Sequence, residues 1–369
     1  MKTLYKYVAK EFIFPFLIGI VGFIIFVSVE VLYQLSSIIV QNHVSILNLF
    51  ALIYYYIPQF ISMGMPVGVL LAIFWVLSNF SSRRELMAFQ VHGINLKRIV
   101  IPFLMVSLIL SIFTYLIANF VVPSFSTQAS NYLEKYVYHS SFPSVQTNTF
   151  FKAGNNYFYV NSFDPKTEQF GSVMISNLSG NDVTVTYAQS AYFKDGKWYL
   201  SDGRMYTLKN DLMTFDMSFK TMKLDINEDI VQFLRSQKKP QEMSSGQLME
   251  QIKLFRKLGL DADSFIVELY SRYANALGAL IIAFFGVPFS LFFGIKSKAW
   301  SAIITFVLVV LYQGSGAWLN AIGQNGMIDP VIAAWLPDII FGIIGLLFFL
   351  LLDSRLFFRI KESMVRLIS

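Results

Sequence analysis

Six stretches of this chain stay apolar for about twenty residues or more between charged flanks, the length a helix needs to cross a hydrocarbon core. They run from about Phe12 to Tyr33, Leu47 to Phe80, Ile99 to Val122, Phe265 to Phe293, Ala299 to Ile322 and Ala333 to Leu352. Only helices or closed barrels satisfy their backbone in lipid, so the expectation is a helical membrane protein with six spans. The first run is too long for a cleavable signal, and no small-residue cleavage site follows it; it is expected to be retained. The second contains Pro58 and Pro66 and reads as a short interfacial helix that kinks into a span, and the third is expected to close at Pro123. Composition agrees, with 55% hydrophobic and 14% charged residues, against roughly 25% charged in a soluble domain.

Lysine and arginine fix the expected orientation, because short cytoplasmic loops retain positive charge. One face collects Lys2, Lys6, Lys10, Arg83, Arg84, Lys97, Arg98, Lys296, Lys298, Arg355, Arg359, Lys361 and Arg366, while the loops 34–46 and 323–332 on the other face contain no lysine or arginine. Both termini are therefore expected in the cytoplasm and the long insertion outside it. The net charge of +6 sits beside apolar spans, where anionic lipid headgroups account for it, and nucleic-acid binding is not expected. No cysteine occurs, which removes disulfides, thiolate nucleophiles and cysteine metal sites.

Between spans three and four the pattern changes to a period of two, the mark of half-buried strands. In Leu212–Lys220 the residues Met213, Phe215, Met217 and Phe219 alternate with Thr214, Asp216 and Ser218. Similar short strands are expected at Asn156–Ser162, Ser172–Leu178, Asp182–Tyr187 and Lys197–Ser201, with turns at Gly154-Asn155, Ser179-Gly180 and Asp195-Gly196. Many short strands point to a sandwich, a jelly roll or an open barrel. The residues expected to face inward are Phe158, Tyr187, Trp198, Met213, Phe215, Met217 and Phe219, which form either a closed core or an apolar groove able to hold acyl chains. The organisation expected is residues 1–139 for spans one to three, with a short helix at 82–93; 140–243 for an all-β insertion; 244–262 for a linker helix carrying Leu248, Ile252, Phe255 and Leu258; and 263–369 for spans four to six and a tail.

The chemistry of an enzyme is not visible. There is no phosphate loop, since Gly294-Ile295-Lys296-Ser297 lacks the glycine spacing that aims N–H groups at phosphates. There is no G-x-S-x-G or H-E-x-x-H, and His43, His92 and His139 are scattered. Gradient coupling needs several ionisable groups in mid-span, whereas only Glu30 is read there, with Glu268 and Arg272 at the outer mouth of the fourth span. A borrowed motor remains. The loop Ser81 to Gly93 offers a docking element: two serines to cap a short helix, an exposed anchor of Leu86, Met87, Phe89 and Gln90, a free Glu85, and Gly93 to close it. Its plainer alternative is a helix lying in the lipid interface.

The run Arg84-Glu85-Leu86-Met87-Ala88-Phe89-Gln90-Val91-His92-Gly93 resembles the coupling helix of the lipopolysaccharide export permeases, the YjgP/YjgQ or LptF/LptG family. Ile57-Pro58-Gln59 with Met65-Pro66-Val67, Glu268-Leu269-Tyr270-Ser271-Arg272, and Asp329-Pro330 with Ala334-Trp335-Leu336-Pro337 are similar to the family in the same order. Phe151-Lys152-Ala153-Gly154-Asn155-Asn156-Tyr157-Phe158-Tyr159-Val160 resembles its G-type members. The resemblance implies six transmembrane helices with an inserted periplasmic jelly-roll-like β-domain, in the bacterial inner membrane. It implies a permease without an ATPase site or cofactor of its own, paired with a homologous six-span permease and driven by a cytoplasmic P-loop ATPase dimer that binds ATP and Mg²⁺. It further implies lipopolysaccharide taken from the outer leaflet among membrane lipids and passed to periplasmic jelly-roll bridge proteins. ATPase coupling would fall to Arg84, Glu85, Leu86, Met87, Phe89, Gln90, His92 and Gly93, and the substrate path, by position, to Glu30, Tyr33, Gln34, Tyr312, Gln313 and Trp318. Relatives often carry basic residues on the wall where this chain presents Glu30. Two other readings stay open: a permease of another ABC system such as lipoprotein release, which the three-plus-three layout disfavours, and a non-transporting envelope scaffold, which would not need a coupling helix.

Overall fold

The computed structural model describes residues 2–41, 44–93, 95–133, 135–136, 149–153, 156–164, 169–179, 182–194, 197–209, 212–224, 238–257, 261–294 and 297–352. The chain divides into two compact units, Met1–Ala129 with Pro240–Ser369, and Ser130–Lys239.

The first unit is a helix bundle. In chain order it contains α1 (Lys2–Gln34), α2 (Ser36–Gln41), α3 (Ile46–Ser82), α4 (Glu85–Val91) and α5 (Leu96–Leu116). A π-turn (Ile117–Val121) leads into α6 (Val122–Leu133); after the insertion come α7 (Ser245–Lys257), α8 (Asp263–Phe293), α9 (Lys298–Gln324) and α10 (Pro330–Leu351). Among the described residues, six helical segments are long and apolar enough to cross a membrane: those of α1, α3, α5 with α6, α8, α9 and α10. The middle of the bundle is α3 and α8, whose spans are mostly buried, whereas α9 and α1 are mostly exposed. Phe12, Phe74, Phe80, Phe103, Leu70, Ile73 and Ile99 are fully buried in the common core.

The second span is one continuous helix, Ile46–Ser82, that carries Pro58 and Pro66 inside it. On the turn of α3 before Pro66, Gln313 Nε2 of α9 donates to the Met63 carbonyl at 2.7 Å. The third span does not close at Pro123; the helix runs on to Leu133 through the π-turn. A widened turn relieves the clash of a proline ring with the carbonyl four residues earlier, so the chain passes Pro123 without a break.

Helix crossings rely on missing side chains. A Cβ on Gly19 of α1 would stand 2.8 Å from Gly68 Cα of α3, and one on Gly345 of α10 would stand 2.8 Å from Phe285 Cα of α8. Such close approach maximises dispersion contacts between helices that gain little from the hydrophobic effect in lipid. Gly345→Leu is therefore expected to cost about 1–3 kcal/mol through overpacking. Gly342→Leu serves as the control, since its Cβ would meet only Ile281, at 3.9 Å. Thermal unfolding in detergent compares the two, and equal midpoints would contradict the close crossing.

In the second unit six strands form one antiparallel sheet in sequence order: β1 (Thr149–Ala153), β2 (Asn156–Asp164), β3 (Gln169–Ser179), β4 (Asp182–Lys194), β5 (Lys197–Lys209) and β6 (Leu212–Leu224). The inserted domain is thus a β-domain as expected, and its described part is a meander; any strand that would wrap it into a roll lies outside the described residues. One face buries Phe158, Val160, Phe170, Val173, Ile175, Ala188, Ala191 and Leu200. Pairing lapses along one row that crosses β2 to β6, at Asn161, Ser172, Gln189, Asp202 and Lys220. At this row Ser172 and Asp202 turn to φ 48° and 50°, and the buried positions change parity: Phe170 against Val173, Ala188 against Ala191.

Candidate functional site

α4 sits at the basic end of the bundle. It starts directly after Arg84, which takes φ 60°, and stops where Gly93 takes φ 75°. Ser81 and Ser82 do not cap it as expected; both belong to α3, and the Ser82 hydroxyl donates back to the Ser78 carbonyl at 2.8 Å. The side chains of α4 divide by face. Leu86 and Phe89 turn inward against the bundle core, Phe89 meeting the buried Phe80 edge-on at 6.0 Å. Met87, Gln90, Val91 and His92 turn outward, and Met87 is 64% exposed. The expected anchor of Leu86, Met87, Phe89 and Gln90 is therefore half anchor and half root. Glu85 is not free. The Tyr7 hydroxyl donates to its carboxylate at 3.1 and 3.2 Å, and Arg83 Nη1 stands 3.7 Å away.

The residues assigned to a path separate in the same way. Glu30, Tyr33 and Gln34 are exposed at the far end of α1, with Gln34 Nε2 donating to Glu30 at 3.3 Å, and Trp318 of α9 is exposed. Tyr312 is instead buried, donating to Asp338 Oδ1 of α10 at 2.6 Å, and Gln313 is spent on Met63. These two fasten α9, because a polar group buried among helices takes a protein partner. Asp338, only 3% exposed, is a buried carboxyl within the sixth apolar run, in addition to the Glu30 expected from the sequence. Around it lies a cavity of about 30 Å³ lined by Ser271, Asn275, Gln313 and Asn320 among others.

At the mouth of α8 the Glu268–Arg272 pair is a clasp. Arg272 Nε donates to Glu268 at 2.8 Å, while its remaining nitrogens donate to the carbonyls of Met243 (2.6 Å), Pro240 (2.9 Å) and Gln241 (3.2 Å). The returning chain is thereby tied to the bundle. α7 follows with a reciprocal cap, Gln247 N–H to Ser244 Oγ at 3.3 Å and Ser244 N–H to Gln247 Oε1 at 2.9 Å. It buries the expected Leu248, Ile252 and Phe255, and Ser245 bonds Asn119 of the π-turn; Leu258 lies outside the described residues.

Of the residues expected to face into the β-domain, Phe158 is buried in the sheet's core and Phe219 packs on it. Met217 and Phe215 share that face on β6, 39% and 47% exposed. Tyr187 is on the opposite face, in the row of Met174 and Arg204, and does not belong to the set. Trp198 pairs with Leu224 and Met213 with Leu208.

The family of lipopolysaccharide export system permeases LptF/LptG matches residues 6–351. The chain belongs to this family. It is 24% identical over 301 residues to the lipopolysaccharide export system permease protein LptG of Escherichia coli K12, which covers 79% of this chain and 82% of the relative. To the protein of the same name from Haemophilus influenzae it is 22% identical over 295 residues, 77% and 80% of the two chains. The resemblance of the 151–160 run to G-type members agrees with these names. Within an LptF/LptG permease, the features that stand out are a short helix with an outward apolar face, a polar fastening of α9, and a clasp where the insertion returns.

Proposed function

We propose that this chain is one permease subunit of an ABC exporter in the bacterial inner membrane, multi-pass, with both termini cytoplasmic and the β-domain periplasmic. It pairs with a homologous six-span permease, and the two extract lipopolysaccharide from the outer leaflet and hand it to periplasmic jelly-roll bridge proteins. A cytoplasmic P-loop ATPase dimer, which binds the ATP and Mg²⁺, supplies the work. What carries this reading is α4: a seven-residue helix rooted by Leu86, Phe89 and Glu85 that leaves Met87, Gln90 and Val91 turned outward beside the basic loop residues. A rooted helix with an apolar cap is built to fill a groove in a partner. Glu30, Tyr33, Gln34 and Trp318 then face the lipid cavity between the paired permeases, and the open β6 face at Phe215 and Met217 receives acyl chains.

The test is affinity purification of the tagged chain in mild detergent, as wild type and as Met87→Glu, with mass spectrometry of bound proteins and lipid. Met87 touches little of its own fold, so the variant leaves the bundle intact. The wild type is expected to bring down a second six-span permease, a P-loop ATPase and a glycolipid bearing lipid A. Met87→Glu is expected to lose the ATPase by at least about ten-fold, ~1.4 kcal/mol, and keep the permease. An ATPase held equally by both would mean that α4 lies among headgroups, and a chain that comes down alone would favour the scaffold.

A further inference from the structure

Among the described residues, the side-chain hydrogen bonds that join α1 to α4 come from Tyr7. Tyr7, in the second turn of α1, stacks its ring on Phe80 of α3 at 5.4 Å and 11°, and Phe80 in turn takes the edge of Phe89 from α4. The Tyr7 hydroxyl continues past this stack to both oxygens of Glu85, the first residue of α4. Among the described residues, the other side-chain hydrogen bonds of α1, Ser28 to the Ile24 carbonyl and Gln34 to Glu30, stay within the helix. The polar hold on α1 is therefore at its basic end and on the docking helix itself.

α1 is also one uninterrupted helix of 33 residues that carries Pro15 without a break. From Tyr7 to Tyr33 it rises about 39 Å at 1.5 Å per residue. Its outer half presents Val21, Ile25, Phe26, Val29 and Tyr33 outward, each more than half exposed. Mid-way along, α1 crosses α3 closely at Gly19 and Gly68, so a displacement of its basic end pivots the helix about that crossing and moves the other end.

We infer that Tyr7 is a positioning residue that relays displacement of α4 to the far end of α1, so that the partner motor drives the Glu30–Gln34 end through the Glu85–Tyr7 contact. This rests on α4 being the docking helix. The hydroxyl is the relay and the ring stack is its seat, because Tyr7→Phe keeps the stack and removes only the bond.

The chain has no cysteine, so Tyr33→Cys and Met327→Cys give a clean pair of spin-label sites on two exposed residues. In the purified assembly with its ATPase, the distance distribution between them is measured without nucleotide and after trapping with Mg-ATP and vanadate. With Tyr7 present the distribution is expected to shift on trapping. In Tyr7→Phe the shift is expected to fall by half or more, while ATPase recovery and the rate of ATP hydrolysis stay within about two-fold. An unchanged shift in Tyr7→Phe, or no shift with Tyr7 present, overturns the relay. Loss of the ATPase from Tyr7→Phe also overturns it, since Tyr7 would then only shape the docking surface. If the assembly with Tyr7 holds no ATPase, the docking reading itself fails, a result distinct from the others.

Discussion

Arg272→Met is expected to lower the unfolding stability of the permease in detergent by about 3–5 kcal/mol, the cost of leaving one member of a buried ion pair without its partner. The guanidinium is 6% exposed and the Glu268 side chain 18%, so water replaces little of what is lost. Methionine keeps the length and apolar stem of arginine but supplies no N–H. Glu268 and the carbonyls of Pro240, Gln241 and Met243 would then lose their donors together. Glu268→Gln keeps an acceptor and should cost much less. Thermal unfolding of the three proteins, with limited proteolysis at 238–244, reads both effects; an Arg272→Met protein as stable as wild type would show that the clasp carries no load.

The second large effect is expected at the Tyr312–Asp338 bond, and it should be lopsided. Tyr312→Phe leaves a buried carboxyl without its donor, which costs about 2–3 kcal/mol, whereas removing both partners in Tyr312→Phe/Asp338→Leu can be close to neutral. The same bond fastens α9 to α10, and α9 is the least buried of the long helices. Denaturant or thermal unfolding of the two single variants and the double variant gives the coupling directly. If the double variant is as unstable as the sum of the singles, the hydroxyl and the carboxyl do not depend on each other.

The spans were legible because lipid imposes one rule on all of them, a run of apolar residues of fixed length, and the charge flanks mark their ends. What was not legible depended on a neighbour. Pro58 and Pro66 mark where the ladder of α3 is interrupted, but a single sequence does not reveal that Gln313 approaches it from α9. Pro123 read as a stop because a π-turn has no periodic signature. Glu85 read as free since Tyr7 is 78 residues away, and the Tyr312–Asp338 bond was hidden since the acceptor is on the next helix. Asp338 had a visible signal, a lone carboxyl within the apolar run from Ala333 to Leu352. In the β-domain the strands were found but cut short: Asp182–Tyr187 is really Asp182–Lys194, and Lys197–Ser201 is really Lys197–Lys209. Alternation was followed only to the row of Gln189 and Asp202, where parity changes, so the second halves of both strands looked like loop.

That row has a further meaning for how the sequence can drift. Side chains alternate strictly along a strand, so losing one residue from β4 alone would either carry its far half to the wrong face or slide its pairing with both neighbours. The same holds for the other strands that the row crosses. Single-codon losses at Asn161, Ser172, Gln189, Asp202 or Lys220 are thus tolerable only in concert, and among descendants of this chain the five positions should be inherited as a block while the hairpin tips beyond them vary in length.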